Sequence, residues 1–186
     1  FLAKHPAISI ELVLSDGYVD FVGQGLDIAL RFGSVTDSSL RVRSLGLQRR
    51  LVCAAPAYLA KHGMPKKPVD LKKHNCLVMR FGANLDNVWR FGANALQQIV
   101  TVRGDRIAND GALVHQWALA GFGISLKSEL DVRPDILAGR LIELLADFAP
   151  PPAPLQILFP PSRAQPKRVR ELADHLALLI EGLEQG

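Results

Sequence analysis

Ile8-Ser9-Ile10-Glu11-Leu12-Val13-Leu14, then Ser15-Asp16-Gly17, then Tyr18 to Gln24, then Asp27-Ile28-Ala29-Leu30-Arg31-Phe32-Gly33 is the stretch whose reading decides the fold. Apolar side chains at 8, 10, 12 and 14 repeat with period two, the pattern of a half-buried strand. Ser15-Asp16-Gly17 reads as a turn, and Tyr18 to Gln24 as a short helix ended by Gly25. Asp27 to Phe32 is a mostly apolar strand closed by Gly33. Strand, helix and strand joined by short connections predict a parallel sheet, because parallel neighbours need a crossover and a helix usually supplies it.

Working outward, Phe1 to His5 reads as the last turn of a helix stopped by Pro6. Downstream, Leu40 to Leu47 and Leu51 to Ala55 read as strands. Pro56 opens a helix at its favoured first position and Gly63 closes it. Met64 to Asn75 reads as a basic surface loop. Cys76 to Arg80, Val88 to Phe91 and Gln97 to Val102 are short strands, separated by loops at Gly82 to Asn87 and Gly92 to Asn94. Asp105 to Ala108 is a brief strand before two good helix caps, Asn109 and Asp110, and the helix they open ends at Gly121. Gly123 to Leu126 reads as a buried strand. A helix from about Lys127, interrupted at Pro134, leads to the strand Arg140 to Leu145. Pro150 to Pro154 is a stiff linker, followed by the strand Leu155 to Phe159. The longest helix, Pro166 to Glu184, sets Val169, Leu172, Ala173, Leu176, Leu179, Ile180 and Leu183 on one face. Alternating β and α elements give an α/β class. The return of the chain after the proline linker suggests two lobes with a cleft between them, a common place for a small ligand.

Totals exclude several classes. The 186 residues, 48% hydrophobic and 22% charged, fit a globular protein with a real core. A net charge of +4, from 22 Lys+Arg against 18 Asp+Glu, is mild. The basic clusters Arg41, Arg43, Arg49 and Arg50, and Lys66, Lys67, Lys72 and Lys73, read as solvated faces rather than a phosphate-binding stripe. Cys53 and Cys76 sit in apolar runs without metal-ligand or disulfide spacing, as buried reduced thiols would. No run approaches about 20 apolar residues, so no membrane span is expected. Enzyme signatures are missing too: there is no G-x-S-x-G, no P-loop and no H-E-x-x-H. Gly23-Gln24-Gly25 and Gly121-Phe122-Gly123 lack the third glycine of a dinucleotide fingerprint. No cofactor or metal is expected.

The ordered set of segments resembles one family. Phe1-Leu2-Ala3-Lys4-His5-Pro6, Ile10 to Asp16, Gly25 to Gly33, Val52-Cys53-Ala54-Ala55-Pro56-Ala57-Tyr58-Leu59, Pro68-Val69-Asp70-Leu71, Asn109-Asp110-Gly111 with Ala118 to Ile124, and Gly139-Arg140-Leu141 look like the effector-binding domain of LysR-type transcriptional regulators. Each piece is weak alone; the order is specific. The resemblance implies a type 2 periplasmic-binding-protein-like fold of two Rossmann-like lobes around a ligand cleft. One lobe would be residues 1–51 plus 158–186, without its N-terminal strand, and the other 52–157. It also implies a bacterial cytoplasmic regulator, a homodimer or homotetramer, that senses a small-molecule effector. Such a regulator reaches DNA through a winged helix-turn-helix not contained in these residues. A solute-binding protein or small enzyme on the same two-lobed fold is the alternative.

Site candidates follow from strand ends and caps. Ser15 and Asp16 follow the first strand and open a helix, where ligands sit in α/β sheets and free N–H groups attract anions; a purely structural cap is the plainer reading. Arg31, Phe32 and Gly33 finish the next strand, and Arg31 could hold a carboxylate in a fork or a structural ion pair. Phe81, beside the loop at 82–87, offers an aromatic wall, as does Trp89 unless it is core. Trp117 reads as core. Asn109 and Asp110 open the helix of the second lobe, and the sequence leaves open which of the two faces a ligand.

Overall fold

The computed structural model describes residues 1–15, 20–21, 23–33, 35, 39–92, 97–161 and 164–185. In chain order the strands are β1 (Ala29–Phe32), β2 (Arg41–Gln48), β3 (Arg50–Ala54), β4 (Cys76–Phe81), β5 (Asn84–Leu85), β6 (Val88–Phe91), β7 (Gln98–Thr101), β8 (Ile107–Ala108), β9 (Ile124–Ser128), β10 (Ile142–Leu144) and β11 (Ala153–Phe159). The α-helices are α1 (Pro56–His62), α2 (Gly111–Leu119), α3 (Glu129–Leu137) and α4 (Lys167–Gln185). The chain divides into two compact units: Phe1–Leu14, Val19–Leu47 and Ala153–Gly186 form the first, and Ser15–Tyr18 with Gln48–Pro152 the second.

The first unit is built on a three-stranded sheet in the order β1-β11-β2. β11 carries Leu155, Ile157 and Leu158 into the interior, and α4 contributes the buried stripe Val169, Ala173 and Ala177. Four-residue spacing places these three on one helix face. The expected apolar face of α4 is therefore narrower than its sequence pattern, since Leu179 and Leu183 are exposed. At the other end of the chain, Leu2–Lys4 forms one 3-10 turn. The Phe1 ring stacks on His5 at 4.2 Å and lies 5.5 Å from His175 of α4.

Two expectations for this unit are corrected. Ile8 to Leu14 joins no sheet among the described residues, and Leu12 and Leu14 are 75% and 85% exposed. A period-two pattern specifies a face, but a strand also needs a ladder partner. The opening parallel pair is likewise not found: β1 runs antiparallel to β11, with Arg31 opposite Gln156 and Phe32 opposite Leu155. The helix expected over Tyr18 to Gln24 and the connection between the strands ending at Phe32 and beginning at Leu40 fall partly outside the described residues. Within the former, Gln24 N donates to the Asp20 carbonyl and Leu26 N to that of Phe21, as in a turn.

The second unit carries a mixed sheet in the order β10-β3-β9-β4-β5, with β8 also paired to β4. β3 is antiparallel to β9 and β10, whereas β4 is parallel to both β9 and β8. Both sheet faces are covered, so β3 and β4 carry continuous apolar runs, Leu51-Val52-Cys53-Ala54 and Cys76-Leu77-Val78-Met79. On one face Val52, Ala54, Cys76, Val78, Ile124 and Leu126 pack with Tyr58, Leu71, Trp89, Phe91 and Val102. On the other, Leu51, Cys53, Leu77 and Met79 pack with Val114 and Ala118 of α2, Val132 of α3 and Leu141. Each large apolar side chain buried this way contributes about 1.5–3 kcal/mol. Trp89 is core, 2% exposed, with Nε1 donating to the Asp86 carbonyl at 2.9 Å. Trp117 is partly buried against the second cluster.

Here too the sequence reading is amended. The loop Met64 to Asn75 contains a 3-10 helix, Pro68–Lys73, held down by buried Pro68 and Leu71. The loop at 82–87 contains the short strand β5, paired with the end of β4. Helix α3 continues through Pro134. Proline removes one backbone donor, and in a nine-residue helix that fills its surroundings with Val132 and Asp135 the loss is tolerated.

Candidate functional site

In the second unit the parallel strands β4 and β8 end side by side, with Val78 opposite Ile107 and Met79 opposite Ala108. Phe81 closes β4 and is 40% exposed. Asn109 and Asp110 leave β8 directly and lead into α2. These three candidates therefore share one end of one sheet, the carboxyl end of two parallel strands, where α/β proteins hold ligands.

Asn109 and Asp110 have different roles. The Asp110 backbone is extended, and its Oδ1 accepts a hydrogen bond from Leu113 N at 2.8 Å, so its side chain is the N-cap of α2. This carboxylate also occupies the partially positive helix end and disfavours a second anion there. Asn109, exposed and one residue earlier, keeps its side-chain amide for other work.

In the first unit, Arg31, Phe32 and Gly33 end β1 beside the start of β11, where Gly33 N donates to the Pro154 carbonyl at 2.9 Å. Gly33 has φ +90°, a conformation that suits glycine. Arg31 is half-buried and Phe32 exposed. Across from Arg31, the Gln156 side-chain oxygen is buried and has no hydrogen-bond partner among the described residues, so the end of β1 is polar on the Arg31 side. Ser15 is exposed. Asp16 lies outside the described residues.

Sequence reasoning missed a chain of buried and half-buried charges behind the start of α2. Lys127, 9% exposed on β9, donates from Nζ to the Gly111 carbonyl at 2.8 Å and pairs with Asp131 of α3. His115 of α2 sets Nδ1 3.3 Å from Asp131 and Nε2 2.8 Å from Asp135, the latter an ion-pair distance outside hydrogen-bond alignment. Asp135 in turn accepts from Arg140 Nε. The one available signal was Lys127 and Asp131 at i,i+4 spacing.

Other polar groups are accounted for structurally. Of the arginine cluster, Arg43 pairs with Asp174, Arg49 with Glu129 and Glu143, and Arg50 with Asp86. Asn75 bonds Asp105 and the Phe122 carbonyl, while Arg106 lies over the Phe122 ring at 4.2 Å. Both thiols are free and buried. Burial pushes the Cys53 thiol up to about 11 and the Cys76 thiol up to about 12, so both stay protonated at neutral pH. Among the described residues no group of three or more His, Cys, Asp or Glu could hold a metal ion. No described helix is long and apolar enough to cross a membrane.

The family model of the LysR substrate binding domain matches residues 1–179. The chain belongs to that family. Among curated relatives, the HTH-type transcriptional regulator DmlR of Escherichia coli is 34% identical over 151 residues, 81% of this chain and 49% of the relative. The HTH-type transcriptional regulator CrgA of Neisseria meningitidis is 37% identical over 147 residues, 79% of this chain and 48% of the relative. This LysR substrate-binding domain thus spans about half the length of the curated relatives it matches. The solved regulatory domain of Neisseria meningitidis CrgA superposes with a TM-score of 0.85 at 33% identity, covering 96% of this chain and 87% of that one. The effector domain of Pseudomonas aeruginosa AmpR, at 20% identity and a TM-score of 0.74, shares the fold. The LysR domain accordingly has the periplasmic-binding-protein-like type 2 fold of LysR-type regulatory domains and is not an enzyme.

Proposed function

We propose that this chain is the effector-sensing part of a longer, cytoplasmic, DNA-binding transcription regulator, and that its effector is a small anionic metabolite. One observation carries the reading: the family match runs over residues 1–179, and the relatives it aligns with are HTH-type regulators about twice as long. The DNA contacts then belong to a helix-turn-helix outside these residues, in a homodimer or homotetramer.

Arg31 is the anion contact in the first unit, since a half-buried guanidinium at a strand end suits a carboxylate. In the second unit, Asn109 contributes a hydrogen-bonding amide and Phe81 an aromatic surface. Asp110 serves this reading as the helix cap that sets the start of α2 beside the effector. Ser15, Asp16, Phe32 and Gly33 are the remaining effector contacts of this reading. Effector binding would favour one of two arrangements of the regulator, and the DNA-binding part would respond to that shift.

The test uses the full-length regulator in thermal-shift and calorimetric screens against small mono- and dicarboxylates, with a promoter reporter as second readout. At least one carboxylate should bind and change reporter output. Arg31→Ala and Asn109→Ala should each weaken that binding about tenfold or more, the loss expected for a hydrogen bond to a charged group. No binder across the library, together with an unresponsive reporter, would overturn the reading.

A further inference from the structure

We infer that Lys127 is a positioning residue: its ammonium fixes the Asn109–Gly111 segment from behind, and through Asp131 ties that segment to α3. This rests on the reading of Asn109 as an effector contact given above.

A nearly enclosed ammonium is unfavourable unless paired and hydrogen-bonded. Lys127 has both partners, Asp131 at one side and the Gly111 carbonyl at 2.8 Å on the other. Replacing a buried ion pair with apolar side chains of similar volume is often neutral for stability. A hydrophobic pair at 127 and 131 would therefore serve the core equally well on this face of β9, where Lys127 stands opposite the core residue Leu51. What only a long cationic side chain provides here is a grip on a backbone carbonyl across from the sheet.

The gripped carbonyl is that of the first residue of α2. Asp110 caps the same helix turn from its other side by accepting from Leu113 N. Two anchors therefore hold the first turn of α2, and Asn109 is the residue just before them. His115, one turn further along α2, contacts both Asp131 and Asp135 of α3. The start of α2 is thus fastened to β9 and α3 by charge contacts, and the orientation of Asn109 depends on them.

Hydrogen–deuterium exchange on the full-length regulator tests this. Lys127→Met should raise exchange over residues 109–113 about tenfold, the loss of one charge-assisted hydrogen bond. Peptides from β3 and β4 should be unchanged, and Lys127→Arg should restore the slow exchange. Unaltered exchange at 109–113 in Lys127→Met would overturn the inference, as would equal acceleration in β3 and β4, which marks a general core defect. A second arm measures the Kd of whichever carboxylate shifts the melting of the unmutated protein. A Kd raised about tenfold in Lys127→Met alongside faster local exchange supports both readings. Faster local exchange with an unaltered Kd supports the brace and counts against Asn109 as an effector contact.

Discussion

Tyr58 and His74 show how local burial sets chemistry in the second unit. The Tyr58 hydroxyl accepts from Asn75 N at 2.9 Å and lies 3.3 Å from His74 Nδ1. Burial pushes the Tyr58 pKa up and the His74 pKa down from 6.5, with His62 adding to the latter. The neutral imidazole is thus favoured in the folded state. Unfolded chains take up a proton near pH 6.5, where folded ones do not, so stability is full above that pH and falls as pH drops toward the lower folded value. Thermal melts from pH 7.5 to 5 should show a shallower acid loss for His74→Gln than for the unmutated protein. An identical slope would remove His74 from the account. None of this was legible in the sequence, because the environment of His74 is made by α1 and the 3-10 turn folding onto each other.

At the scale of elements, the α2 start is the most testable piece. Asp110→Ala should lower stability by about 1 kcal/mol through loss of the cap. Asp110→Asn should keep most of that stability and remove a negative charge from the helix end, so an anionic effector should bind no more weakly, and preferably more tightly. Chemical denaturation and calorimetry on the same two variants check both statements. Elements with local signals were readable: Pro56 opening α1, Asp110 opening α2, Gly121 after it, and the core strands β3, β4 and β9. Elements that exist through remote partners were not. Pro68–Lys73 is ordered because Leu71 is buried under the sheet, and Ile8 to Leu14 has no ladder among the described residues despite a clean alternation. The site divides similarly. Asn109 and Asp110 announced themselves by cap chemistry, whereas Lys127, His115, Asp131 and Asp135 come from three elements and meet only in the fold.

For the whole molecule, charge and apolar surface are distributed in different ways. Three of the four arginines at 41–50 are engaged in ion pairs, which leaves little of the basic cluster for a phosphate backbone. Exposed pairs of this kind contribute only about 0–1 kcal/mol each, so the stability of the second unit rests on its two covered sheet faces. The segment before Ser15 has no such cover. With Leu12 and Leu14 open to solvent and their backbone in no sheet among the described residues, it is adhesive material in the colloidal sense. Samples of the 186-residue chain should turn cloudy as they are concentrated, faster at high salt, where charge repulsion is screened. Leu12→Lys with Leu14→Lys should raise the concentration reached before light scattering climbs, while the melting temperature stays within about 2 °C of the parent, as surface changes usually do. A practical handle on the protein's solubility therefore lies in Leu12 and Leu14, two exposed leucines on the approach to Ser15, rather than in the fold's core.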